Sequence, residues 1–276
     1  MPKLIEELVG EAQAGSRIAL EDVVAAIQDQ VYGLALRMLW HPEDARDAAQ
    51  EILVRIVTHL SGFRGESRFT TWVYRIASNY LISARQSRLE RQSYNFERFG
   101  EDLDHGLSAT PAHDESDPER NLLLQEVRVG CTMGMLLCLD RPHRLAYILG
   151  EILEVEGSEA AGILEITAAT YRQRLTRARR AIVSFMMEKC GLVKPANQCR
   201  CHRRVDSALA AGRVDRENLL FGNDPVLAHQ FPQVLKIIRT LKDAQRVAAL
   251  YRAQPKAEAP AELTSELRQM LEDLRI

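Results

Sequence analysis

Apolar residues recur at helical spacing along nearly the whole chain. Between Asp44 and Leu60, the residues Ala45, Ala49, Ile52, Leu53, Ile56 and Leu60 fall on one stripe, with polar residues on the other side. That pattern predicts an amphipathic helix with one buried face. Pro42 stands just ahead of it, where a missing N–H does little harm. The loop Ser61 to Ser67, punctuated by Gly62 and Gly65, separates it from a second helix predicted from Thr70 or Thr71 to about Arg91. Gly100 to Pro118 holds few apolar anchors and reads as a linker. Helical patterning resumes at Asn121 and shifts again at Gly191, where Lys194-Pro195-Ala196-Asn197 breaks it. Short amphipathic helices follow, interrupted near Pro225, Pro232 and Pro255. No alternating strand pattern or internal repeat is visible, so the fold class is all-α.

Residues 153–185 carry a helix-turn-helix pattern. Ser158 is placed to cap a short helix, Glu159 to Leu164, and Glu165-Ile166 makes a tight turn. Thr167 is placed to cap a longer helix in which Tyr171, Leu175, Ala178 and Ile182 form the inward stripe. Thr170, Arg172 and Gln173 then lie where such a helix meets base edges. Thr176 is on the same outward face, and Arg177, Arg179 and Arg180 are suited to phosphates. An ordinary helical hairpin with a solvated basic face would have the same pattern, so these residues alone do not decide between the two.

The chain has 276 residues and a net charge of −2, with 46% hydrophobic and 27% charged residues. That is room for about two domains in a globular chain. The net charge hides a segregation. Tyr171 to Arg204 holds ten Lys or Arg and one acid, and Arg64 to Arg98 holds seven Arg and three acids. Glu97 to Glu119, between them, holds eight acids and one Arg. Two basic blocks suited to a polyanion thus flank an acidic bridge. No apolar run is long enough to span a bilayer, and the acidic N-terminus lacks a signal-peptide plan, so a cytoplasmic location is expected. No Gly-rich phosphate loop, nucleophile elbow or metalloprotease motif is present, and an enzyme is not expected.

Two stretches resemble the extracytoplasmic-function group of RNA polymerase sigma factors. The first runs Asp44-Ala45-Arg46-Asp47-Ala48-Ala49-Gln50-Glu51, then Phe63 through Trp72 to Asn79. It is similar to that family's second region. The second runs Leu139 to Arg144, then Thr170 to Arg179, and is similar to the fourth region. Their order and the polar linker between them make the joint resemblance far more specific than either alone. It implies that Asp47, Gln50 and Glu51 grip core RNA polymerase. It implies that Arg64, Arg68, Trp72, Arg75 and Asn79 open and hold the minus-ten promoter strand, with Trp72 also suited to the core. It further implies that Thr170, Arg172, Gln173, Thr176, Arg177, Arg179 and Arg180 meet the minus-thirty-five element. Core polymerase and promoter DNA are the expected partners, and an anti-sigma factor is a further candidate. The family's usual acid is replaced here by Ser83, which bears on minus-ten selectivity.

The expected layout is a second-region helical bundle at 1–95, an acidic flexible linker at 96–120, a fourth-region helix-turn-helix domain at 121–190 and a helical C-terminal extension at 191–276. The extension is a candidate for autoregulation, because its stripe of Leu263, Leu267, Met270, Leu271 and Leu274 must cover itself against something. Cys199, Cys201 and His202 have the ligand types for zinc or copper, though without finger spacing. The surrounding Lys194, Arg200, Arg203 and Arg204 would lower thiol pKa values, which suits redox sensing equally. The competing function is a stand-alone helix-turn-helix regulator, which would need neither the Asp47 face nor the Trp72 segment.

Overall fold

A computed structural model describes residues 4–86, 90, 94–108 and 117–273. The described residues are helical, with one isolated bridge between Cys190 and Cys199 as their only extended pairing. Among them, no helix is long and apolar enough to cross a membrane. The chain groups into two compact units, and neither follows the boundaries read from the sequence.

The first unit gathers Met1–Gln92, Val155–Arg172 and Lys256–Ile276. It begins with α1 (Ile5–Gln13) and α2 (Arg17–Leu39). Ser16 caps α2 by accepting from the Ala19 N–H, and Trp40 closes it in the left-handed region at φ 49°. α3 (Pro42–Thr58) starts on Pro42, with His41 Nδ1 accepting from the Asp44 N–H. Its Ala45, Ala49, Ile52, Leu53, Ile56 stripe is buried as the spacing predicts. α4 (Phe69–Ser83) ends well short of Arg91, because Ser83 turns its hydroxyl back onto the Asn79 and Tyr80 carbonyls and Ala84 is extended. α8 (Gly157–Ile163), the first turn of α9 (Ala168–Lys189) and α13 (Ala261–Asp273) complete the unit. The Leu263, Leu267, Leu271 stripe of α13 is buried against α2 and α3. The Thr264 hydroxyl donates to Gln28 at 3.3 Å and the Ala259 N–H to Asp29 at 2.8 Å.

The second unit gathers Ser93–Glu154 and Gln173–Pro255. It holds α5 (Phe96–His105), α6 (Pro118–Leu137), α7 (Arg141–Tyr147) with the π-turn Ile148–Ile152, most of α9, α10 (Cys201–Ala210), α11 (Pro225–Ile238) and α12 (Asp243–Arg252). Part of the expected linker is therefore helix. Asn95 caps α5, and Phe99 and Leu103 are buried, with Phe99 stacked on Phe185 at 5.5 Å. Two aromatic-anchored apolar positions give this acidic stretch the buried surface that its composition alone does not reveal. Pro232 also does not interrupt its helix. It sits inside α11 and forgoes one backbone hydrogen bond, while Ala228, Phe231 and Ile238 keep the helix packed.

Residues after Gly191 are built into this unit's core. Val205, Ala208 and Val214 pack with Leu123 and Val127 of α6. Glu126, buried in α6, accepts from the Phe221 and Gly222 N–H groups at 2.6 and 2.8 Å. The chain comes so close here that a Cβ on Gly222 would lie 2.5 Å from the Leu122 carbonyl oxygen. Arg204, buried, donates to the Asp102 and Leu103 carbonyls. Asp102 also binds Arg213 at 2.5 and 2.6 Å, and that hydrogen bonding holds its carboxyl below the usual range despite burial.

Candidate nucleic-acid interface

α3 presents a polar edge opposite its buried stripe. Asp47 and Glu51, one turn apart, have side chains 69% and 47% exposed, with half-buried Gln50 between them. Their only ion-pair partners among the described residues are on the same helix. Arg46 reaches Asp47 at 3.3 Å, and Arg55 reaches Glu51 at 3.0 Å. Such exposed pairs are weak, worth roughly 0–1 kcal/mol, and yield readily to a binding partner.

The loop leading to α4 is pinned from α1. Gln13 Nε2 donates to the Leu60 and Phe63 carbonyls at 2.9 and 2.8 Å. The rings of Phe63, Phe69 and Trp72 lie within 5.3–5.7 Å of one another, so half-buried Trp72 serves the core and offers an edge to solvent. Arg64, Arg68 and Asn79 are exposed and Arg75 is half-buried. These side chains line α4 and the loop before it, in the order that the sequence suggested.

That edge is not bare. Within the same unit α8 packs on α4. Glu159 accepts from Arg68 and from the Thr71 hydroxyl, and Glu165 accepts from Asn79 Nδ2 at 3.2 Å. Neither glutamate stands out in the sequence as a partner of α4. Glu159 reads only as an acid at a helix start, and Glu165 only as a turn residue.

The helix-turn-helix forms with one change of cap. Glu156, not Ser158, caps α8 by accepting from the Ser158 N–H at 3.2 Å. Glu165 makes the turn at φ 53°, and Thr167 caps α9 by accepting from the Thr170 N–H at 3.1 Å. Tyr171, Ala178 and Ile182 are buried. Arg172, Gln173, Thr176, Arg177 and Arg180 are exposed, while Thr170 is half-buried with its hydroxyl against Thr167. Arg179 is half-buried and paired within the chain. Glu151 holds it through two hydrogen bonds, one of 3.0 Å from Nε.

Residues 23–90, spanning most of α2 through α4, match the family model for sigma-70 region 2. The chain is 31% identical over 179 residues to the sigma-E factor of Escherichia coli K12, an extracytoplasmic-function (ECF) RNA polymerase sigma factor, covering 63% of this chain and 90% of that one. The chain belongs to the ECF sigma factors. It is also 28% identical over 184 residues to SigW of Bacillus subtilis, covering 66% of this chain and 96% of SigW. Against the RNA polymerase sigma-H factor of Pseudomonas aeruginosa it is 29% identical over 177 residues, covering 64% and 91%. In this sigma factor the region-2 match contains the whole α3 edge and every residue expected at the minus-ten strand.

The cysteines of this sigma factor do not behave as the sequence suggests. Burial pushes the Cys190 thiol up, Cys199 to about 11 and Cys201 to about 12, outweighing the neighbouring arginines. The expected lowering of their pKa values is thus reversed, because desolvation penalises the thiolate more than the neighbouring guanidinium groups favour it. Among the described residues no group of three or more His, Cys, Asp or Glu side chains is gathered as metal ligands.

Proposed function

We propose that this sigma factor directs RNA polymerase to promoters in the cytoplasm, with a division of labour along its two DNA-facing helices. The α3 edge of Asp47, Gln50 and Glu51 grips the core polymerase. Arg64, Arg68, Trp72, Arg75 and Asn79 hold the opened minus-ten strand, the arginines neutralising phosphates and the aromatic edge stacking on bases. Thr170, Arg172, Gln173 and Thr176 read the minus-thirty-five element, while Arg177 and Arg180 fix the register on phosphates. The observation that carries this reading is the exposed polar edge of α3 directly beside an arginine-bearing α4, inside the region-2 match. A stand-alone regulator has no use for that edge. This role needs no catalytic residue and no metal.

Two substitutions on α9 separate its roles. Arg172→Ala is expected to relax base preference at one position of the minus-thirty-five element, because a bidentate contact discriminates by about 1–3 kcal/mol. Arg177→Ala is expected to weaken all sequences alike and to reduce the log–log salt slope by about one unit. Equal losses across all sequences for both variants in a holoenzyme binding titration contradict the assignment.

A further inference from the structure

We infer that Glu159 and Glu165 stand in for promoter DNA on the minus-ten edge of α4, so that the free sigma factor is self-masked. The inference rests on the minus-ten reading above. Carboxylate oxygens occupy two of the donors that the minus-ten assignment gives to DNA. Glu159 takes Arg68, a phosphate-type donor, and is anchored by the Thr71 hydroxyl, while Glu165 takes the Asn79 amide, a base-edge donor. Both acids come from the helix-turn-helix, one from the first turn of α8 and one from its left-handed turn residue.

The contacts are built rather than incidental. The Glu159 side chain is only 19% exposed, whereas Arg68 remains 70% exposed, so the acid is the buried member of the pair. Thr71 is itself buried, which fixes its hydroxyl toward α8. The acid lies in the first turn of α8, where the helix dipole favours it and its position costs little. One carboxylate bridging a donor from the residue just before α4 and one from its first turn imitates the way a phosphate oxygen pair bridges donors.

Masking by acids lowers apparent DNA affinity by the fraction of molecules that are open. DNA competes better as polymerase adds its own contacts, because the promoter strand is then held at high effective concentration. Self-masking thus suppresses promiscuous binding of the free factor to single strands without altering the engaged state.

The test uses the full chain without polymerase and a fluorescein-labelled, randomised twelve-nucleotide single-stranded DNA, read by anisotropy. Glu159→Gln with Glu165→Gln is expected to tighten binding roughly three- to tenfold, the scale of two modest charge contacts. A control removing two other exposed carboxylates of the same unit, Glu6→Gln with Glu258→Gln, is expected to tighten it less than twofold. Thermal melts confirm that each variant is folded, and Glu159→Asp supplies a second, milder variant expected to fall between wild type and the Gln pair. Equal tightening by the control, or none by the Gln pair, overturns the masking. Arg64→Ala, on the same edge, is expected to weaken binding in every background. If it does not, the minus-ten reading fails and the masking falls with it. If it does while the Gln pair changes nothing, only the masking falls.

Discussion

A chain ended after Gly191 is expected to lose the cooperative unfolding of its second unit. It should not yield a trimmed two-domain factor. Val205, Ala208 and Val214 would leave Leu123 and Val127 uncovered. Each fully buried valine or leucine contributes roughly 1.5–3 kcal/mol. Glu126 would lose the Phe221 and Gly222 N–H groups that solvate it, and Asp102 would lose Arg204 and Arg213. A buried carboxylate stripped of its donors costs several kcal/mol more. Against a total stability of about 5–15 kcal/mol, that loss is decisive. Calorimetry should show one transition missing and hydrophobic dye bound at ambient temperature. A melting curve within a few degrees of the full chain refutes the built-in role of residues 191–255. Ending the chain after Pro255 is a gentler cut, which uncovers only the α2 and α3 surface beneath Leu263, Leu267 and Leu271.

The second large effect is on polymerase affinity. Asp47→Ala with Gln50→Ala is expected to weaken binding to core polymerase by roughly ten- to a hundredfold, the range for losing central polar contacts of an interface. Stability should change by no more than about 0.5 kcal/mol, because Asp47 is exposed and its partner Arg46 is an immediate neighbour. Titration of labelled core polymerase measures the first quantity and thermal unfolding the second. Unchanged affinity removes the α3 edge from the polymerase contact. A loss of affinity that tracks a loss of stability turns the edge into a folding element.

Much of this was legible in the chain because its signals are local. The α3 stripe, its Pro42 start and the Thr167 cap of α9 are each set within a few residues, and the structure has them where the spacing places them. The exposed face of α9 follows from the same period, except Arg179, which a distant acid, Glu151, recruits. Contacts far apart in sequence were not legible. Nothing around Glu159 or Glu165 announces α4, and nothing around Leu263 announces α2, because an apolar stripe says that it must be covered and not by what. The linker expectation failed at 96–105 for a related reason. Phe99 and Leu103 look sparse until Phe185 is known to lie against them. The thiols failed because charge neighbours are visible in sequence and burial is not.

That this chain supplies promoter specificity to RNA polymerase is measured most directly by run-off transcription from a pool of genomic promoter fragments, with core polymerase and the 276-residue chain, followed by mapping of the start sites. The expected starts are absent with core polymerase alone, confined to fragments sharing two spaced elements upstream, and lost with the Asp47→Ala, Gln50→Ala protein. Starts that do not depend on the chain, or sequence-specific DNA binding by the chain that leaves transcription by core polymerase unchanged, would contradict it.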